Sequence, residues 1–87
     1  MTVKELVAKS TTFDPVAIDR FKIYVHHDYE INNQLTDCTE PGMRGSWSVN
    51  STYLVPRDHE ALDLIRDFEV AAIGIEDEHT LGIIATV

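Results

Sequence analysis

The sequence predicts a small α+β fold: an antiparallel sheet of about five strands, with two helices on one of its faces. Apolar and polar residues alternate through five segments, which is the pattern of half-buried strands. Two other segments repeat apolar residues at helical spacing. Most connections between the alternating segments are short, and short connections favour antiparallel pairing. The predicted element order is α-β-β-β-α-β-β.

The first helix is predicted over residues 3–10. Thr2 and Glu5 have the spacing of a capping box, in which each side chain accepts a hydrogen bond from the other residue's backbone amide. Val3, Leu6 and Val7 follow at helical spacing. Pro15 disfavours a helical conformation at the residue before it, so the helix must end upstream.

Three strands are predicted in the middle of the chain. Phe21, Ile23 and Val25 alternate with polar residues and indicate the first strand. A weaker alternation over 29–35 predicts its hairpin partner. Residues 36–46 have the Gly, Pro and Asp content of a loop, and alternation over 47–55 predicts the third strand.

The last third of the sequence predicts a helix followed by a hairpin. Asp58 is a suitable N-cap, and an apolar face follows at i, i+3, i+4 and i+7, formed by Ala61, Leu64, Ile65 and Phe68. Alternation over 71–75 and 81–85 indicates two strands, joined by a charged tip at 76–80.

Length, charge and cysteine content limit the class of protein. A chain of 87 residues is expected to form one domain, residues 1–87. A net charge of −8 argues against direct binding to nucleic acid or to an anionic membrane. The lone Cys38 excludes an internal disulfide. With no leader sequence and no membrane-spanning apolar run in view, we expect a cytoplasmic protein.

Catalytic and metal-binding motifs are weak. His26, His27 and Asp28 are adjacent, but no HxxxH, HExxH or CxxC spacing accompanies them. Cys38 lies in the predicted loop, and nothing in the sequence requires a histidine beside it to activate the thiol. We therefore expect no enzyme, no cofactor and no metal site. A small metal-dependent enzyme that uses these four residues is kept as an alternative.

Acidic residues are concentrated near the end of the chain, which predicts contact with a protein that has a basic surface, such as a nucleic-acid-binding groove. The expected contact residues are Asp63, Asp67, Glu76, Asp77 and Glu78. Tyr24 and Tyr29 would add a polar aromatic patch if they shared a face with His26. A second hypothesis is a homo-oligomer that pairs through a sheet edge, with 81–87 as the pairing strand.

The two ends of the chain resemble small proteins carried by bacteriophages and prophages of Gram-positive bacteria. The opening TVKELV is similar to their common N-terminal TVKEL motif. Residues 69–83 are similar to their closing helix and hairpin, of the form EVxxIxI followed by TLxI. The resemblance covers about a third of the chain. It implies an accessory role, such as modulation of a host or phage protein, and it assigns no functional residues.

Overall fold

A computed structural model describes residues 1–10, 18–26, 28–48 and 50–87. The elements in chain order are α1 (Val3–Lys9), β1 (Arg20–Val25), α2 (Tyr29–Cys38), a short 3₁₀ helix (Pro41–Met43), β2 (Arg44–Trp47), β3 (Asn50–Pro56), α3 (Glu60–Leu64), β4 (Glu69–Ile75) and β5 (Thr80–Thr86). The α+β class and a sheet of five strands are thus confirmed, but one predicted strand is a helix and another strand, β2, takes its place in the count. The described part of the chain has three α-helices rather than the two predicted.

The five strands form one mixed sheet in the order β2-β3-β1-β5-β4. Three of the four pairings are antiparallel, as predicted, but β1 and β5 are parallel, with Phe21 beside Leu81 and Ile23 beside Ile83. The parallel pair arises because the final hairpin enters the sheet through its second strand. As a result β5 is internal, and β4 and β2 are the edges.

Helices cover one face of the sheet, here called the helix side. Its apolar side chains alternate along the two central strands, with Phe21, Ile23 and Val25 on β1 and Leu81, Ile83 and Ala85 on β5, all of them buried. Val3 and Leu6 of α1, Leu35 of α2 and Ala61 of α3 join the same core. The opposite face, here called the open face, has no helix packed on it in the described residues.

α1 confirms the predicted helix and its cap. The Glu5 amide donates to the Thr2 hydroxyl at 3.3 Å, and the Thr2 amide donates to the Glu5 carboxylate at 3.1 Å. The Thr2 amide and the Thr2 hydroxyl, at 3.0 Å, both donate to the Glu5 carboxylate, and these two hydrogen bonds hold the pKa of that carboxyl below its usual range. Residues 11–17, which include the predicted break at Pro15, lie outside the described part of the chain.

The predicted second strand at 29–35 is wrong, because these residues begin helix α2. Asp28 is the N-cap, and its carboxylate accepts from the Ile31 amide at 2.9 Å. Ile31, Leu35 and Cys38 recur at i, i+4 and i+7 and face the core. The helix also takes up the first residues of the predicted 36–46 loop, and the rest of that loop is the 3₁₀ helix and the start of β2.

The predicted third strand at 47–55 corresponds to β3, which begins later, at Asn50, because Trp47 is the last residue of a separate strand, β2. β2 and β3 pair antiparallel, with Trp47 opposite Asn50. Ser48 has a φ of 59°, the left-handed conformation that tight turns use. Val49, which was part of the predicted alternation, lies outside the described residues. Because Trp47 and Asn50 are paired, they share a face, and the hairpin shifts the alternation by one residue. Trp47 therefore lies on the open face, whereas Tyr53 and Val55, which continue the same odd-numbered row in the sequence, are buried on the helix side.

α3 is shorter than predicted, and its cap is His59 rather than Asp58. The His59 ring accepts from the Ala61 amide at 3.0 Å. The helix ends at Leu64, because the chain turns there towards α1, where the Lys4 amide donates to the Arg66 carbonyl at 3.0 Å. This early end changes the buried face: Leu62 is buried and Leu64 is 37% exposed.

Tyr53 joins the sheet to α2 at a buried position. Its hydroxyl donates to the Asn32 carbonyl at 2.9 Å and lies 2.9 Å from the Thr36 hydroxyl. The ring itself is buried in the core on β3. Tyr53 therefore fixes α2 over the sheet through polar contacts as well as through packing.

We predict that Tyr53→Phe lowers the free energy of unfolding by about 1 kcal/mol, because it removes this hydrogen bond and leaves the ring in place. Urea denaturation followed by circular dichroism measures the change. Tyr29→Phe is the matched control, since Tyr29 is exposed and its hydroxyl plays no part in the core. An equal loss in both variants would contradict this role for Tyr53.

Candidate functional site

The five sequence-predicted contact residues lie in two separate groups. Asp63 is on α3 and Asp67 follows it, just before β4 begins. Glu76, Asp77 and Glu78 form the tip at the other end of β4. A strand of this length spans about 20 Å, so the structure does not bring the two groups together.

The tip is a weaker negative surface than the sequence suggests, because two of its acids are paired within the chain. The Glu76 carboxylate lies 3.7 Å from the Lys22 ammonium, and Asp77 lies 3.8 Å from the Arg20 guanidinium. The Glu76 side chain passes over Gly82 to reach Lys22. A Cβ atom at position 82 would lie only 2.9 Å from the Glu76 carboxylate oxygen, so a larger residue there would displace the Glu76 side chain. The His79 amide donates to Asp77 at 2.8 Å and holds the pKa of that carboxyl below its usual range.

A larger acidic surface lies on the helix side, where α2 packs against α3. The two helices and their flanking residues contain no Lys or Arg over 28–43 and 58–65. We call this the acidic helical surface, and its acids are Asp28, Glu30, Asp37, Glu40, Asp58, Glu60 and Asp63. Except for the capping residue Asp28, all of these are exposed.

The outward face of α2 supplies a polar and aromatic strip beside these acids. Tyr29, Glu30, Asn33, Gln34 and Asp37 are exposed, and they recur at the spacing of one helical face. Tyr29 is 89% exposed, so the ring contributes almost nothing to the core of this chain. An exposed aromatic side chain next to carboxylates is a suitable anchor for a protein contact.

The C-terminal end of α2 is electrostatically unfavourable. Asp37 lies in the last turn, where the helix dipole disfavours negative charge, and no basic residue is present there. Arg44 compensates from β2 by donating to the carbonyls of Thr36, at 2.8 Å, and of Thr39. Arg44 therefore has a structural role at this helix end.

The pKa of the Cys38 thiol is raised by its position between α2 and α3. Burial raises the pKa of its thiol, and the carboxylates of Glu60 on α3 and Asp37 on α2 raise it further. A nucleophilic cysteine needs the opposite shift, towards the thiolate. The surroundings of Cys38 thus favour an unreactive thiol.

The residues of the alternative metal or catalytic site do not converge. Asp28 caps the start of α2 and Cys38 ends it, and ten helical residues separate the ends by about 15 Å. The His26 ring contacts Tyr24, His59 caps α3, and His27 lies outside the described residues. In the part of the chain that the structure describes, no three His, Cys, Asp or Glu side chains are placed to hold a metal ion.

An aromatic row lies on the open face. The rings of Tyr24 and Trp47 meet edge to face with centroids 6.0 Å apart, and Tyr24 makes a similar contact with His26. Tyr24 and Trp47 line an open groove of about 340 Å³ together with Gly74 and Gly82. Tyr24 and His26 therefore share a face as expected, but Tyr29 is on α2 and Trp47 takes its place in the row.

The sequence reasoning missed the acids of α2 because it placed 29–35 in a strand. The signal was present: Asp28 as an N-cap, followed by Ile31, Leu35 and Cys38 at helical spacing. That pattern puts Glu30 and Asp37 on the outer face of a helix. With this helix recognised, the acidic region extends well beyond the last third of the chain.

No protein-family model matches the chain, and no curated protein or solved structure matches it significantly. No helix among the described residues has the length and apolar character needed to cross a membrane.

We predict that the Cys38 thiol titrates above the free-cysteine value of about 8.5. The rate of alkylation by iodoacetamide, measured against pH by mass spectrometry, gives this pKa. Glu60→Gln should lower it, because one of the negative charges that oppose the thiolate is removed. The urea-unfolded chain is the reference, and a native midpoint at or below that reference would contradict the prediction.

Proposed function

We propose that this chain is a non-enzymatic accessory protein that binds a partner with a basic surface through the acidic helical surface of α2 and α3. The observation that carries the proposal is the packing of two helices with seven acids and no Lys or Arg over 28–43 and 58–65. Asp63 belongs to this surface. Asp67 lies just beyond it beside Arg66, and the tip residues Glu76, Asp77 and Glu78 form a separate group at the other end of β4.

The chemistry of the surface selects a Lys- or Arg-rich partner. Carboxylates on adjacent helices create a field that attracts cationic side chains and speeds encounter. Tyr29 supplies the aromatic area that charge alone lacks. A partner whose basic groove normally holds nucleic acid has the matching charge, and occupation of that groove would block its usual ligand.

The placement of Asp37 supports a binding role. This carboxylate opposes the dipole of its own helix, and the Arg44 side chain compensates for it from another strand. A residue that lowers local stability at an exposed site is consistent with selection for contact rather than for folding. The resemblance of the chain's ends to phage- and prophage-borne accessory proteins favours the same kind of role in the cytoplasm of a host cell.

The test uses a photo-crosslinking amino acid at Gln34, on the outward face of α2, in cells that express the chain. We expect one dominant adduct from this position and none from Leu54, which is on the open face. In vitro, Asp37→Asn with Asp63→Asn should weaken binding of the captured partner by roughly tenfold, and added salt should weaken it further.

The control variant is Glu76→Gln with Glu78→Gln, which removes the same amount of charge from the tip and should bind nearly as well as the unmodified chain. Asp37→Asn alone should leave the fold slightly more stable, so a loss of binding in that variant cannot be caused by unfolding. Equal adducts from Gln34 and Leu54, or equal effects of the two double variants, would overturn the proposal.

A further inference from the structure

Strand β4 leaves part of its edge uncovered. The N-terminal segment pairs with the start of the strand, where Thr2 bridges Glu69 and the Val70 amide donates to the Met1 carbonyl at 2.8 Å. No described element pairs with the outer edge from Ala71 to Ile75. Exposed edges of this kind are templates for another strand unless charge, proline or a bulge protects them.

The uncovered stretch has little of that protection. Residues 70–75 contain neither a charge nor a proline, and the one bulge lies at Val70/Ala72, near the start of the strand. Ile73 and Ile75 project on the helix side, next to Ile83 and Leu81, but the helices do not reach them. They are 53% and 72% exposed, respectively.

The hydrogen-bond pattern determines which backbone groups are available. The Glu76 amide donates to the Thr80 carbonyl across the hairpin at 3.0 Å, so the pairs Gly74–Gly82 and Ala72–Ile84 are also of the hydrogen-bonded type. The N–H and C=O groups of Ile73 and Ile75 therefore point away from β5, towards the free edge. The same two residues thus offer both backbone hydrogen bonds and apolar side chains.

We propose that β4 pairs antiparallel with β4 of a second copy of this chain, about a two-fold axis at Gly74. This register places Ile73 opposite Ile75 of the other copy, and the reverse, so four isoleucines meet on the helix side. Gly74 of one copy lies opposite Gly74 of the other, in a non-hydrogen-bonded pair. In such pairs the two Cα atoms are about 4.5 Å apart. The paired stretch is 71–77, which begins where the N-terminal segment ends.

The positions of the charged residues favour this register over its neighbour, and favour a second copy of the chain over a basic strand. Glu76 and Asp77 fall opposite Ala72 and Ala71, whereas centring the axis on Ile73 would set Asp77 against Glu69. The acids that border β4 already have cations in the chain: Glu69 has the Met1 amino group at 3.1 Å, Glu76 has Lys22 and Asp77 has Arg20. The edge therefore has little attraction for a basic strand. Its apolar residues Ile73 and Ile75 can instead pack against Ile73 and Ile75 of a second copy.

The dimer is expected to be weak and to strengthen with salt. Seven residues per copy are fewer than the roughly 20–30 per side of a stable specific interface. Each copy carries a net charge of −8, and salt screens the resulting repulsion. A foreign basic strand on the same edge would show the opposite salt dependence.

Analytical ultracentrifugation over a concentration series, at low and high salt, tests the association. We expect a monomer–dimer equilibrium that is tighter at high salt, and at least a tenfold loss of dimer affinity in Ile75→Lys. Leu64→Lys is the matched control, an exposed leucine on α3 that should leave the equilibrium unchanged. A monomer under all conditions overturns the proposal, as does equal weakening by the two variants when circular dichroism shows both folded.

Disulfide trapping tests the register in a Cys38→Ser background, with oxidised glutathione as the oxidant. A Cβ atom at Gly74 has open space around it, so Gly74→Cys should fold. In the proposed dimer the two thiols introduced at position 74, one from each copy, lie next to each other at the two-fold axis. Ala72→Cys is the control, because the two copies of that position are about 13 Å apart in this register. Faster dimer trapping at 74 than at 72 is expected, and equal or reversed rates overturn the register.

Discussion

The parallel pairing of β1 with β5 organises the molecule. β1 lies at the centre of the sheet, with β3 on one side and β5 on the other, and its alternate residues are fully buried. Because β5 takes the inner position, β4 is left at the edge with exposed isoleucines. The extended length of β4 puts the acidic tip far from α3, which separates acids that are close in sequence.

Polar contacts then attach the helices to this sheet. The Arg57 guanidinium donates to the Val7 carbonyl and the Ser10 hydroxyl, both at 2.9 Å, and to the Ile18 carbonyl, and it lies over the ring of Phe21. It thereby joins α1 and the approach to β1 to the end of β3. Tyr53 and Arg44 make the corresponding connections to α2. In a chain with little core volume, such contacts hold short helices that have low stability alone.

The charge distribution separates two surfaces with different chemistry. The helix side carries the acids of α2 and α3, and its basic residues lie at the margin: Arg44 at the end of α2, and Lys4, Arg57 and Arg66 beside Asp58 and Asp63. The tip and the edge of β4 have most of their acids paired with Lys22, Arg20 and the Met1 amino group. The proposed contact with a basic partner and the proposed self-pairing therefore use different parts of the molecule, and both can form at once.

Local patterns in the sequence determined the elements whose signals are strong and near in the chain. These are the capping box of α1, the alternation of β1 and the final hairpin, and they correspond to the observed elements to within a residue or two. Each depends on contacts between residues a few positions apart, or on a period that burial of one face imposes.

Only the tertiary structure decided the identity of 29–38, the turn at Ser48 and the place of β5. Residues 29–35 alternate weakly but also fit a helix. The helical conformation buries Leu35 in the core and brings the Asn32 carbonyl to the Tyr53 hydroxyl, which resolves the ambiguity. The apolar and aromatic residues at 47, 53 and 55 continue one alternating row in the sequence, but the β2–β3 hairpin places Trp47 on the opposite face from Tyr53 and Val55. Strand order depends on which apolar faces meet across the whole chain. The open β4 edge depends on that order, and the acidic helical surface depends on the packing of α2 against α3.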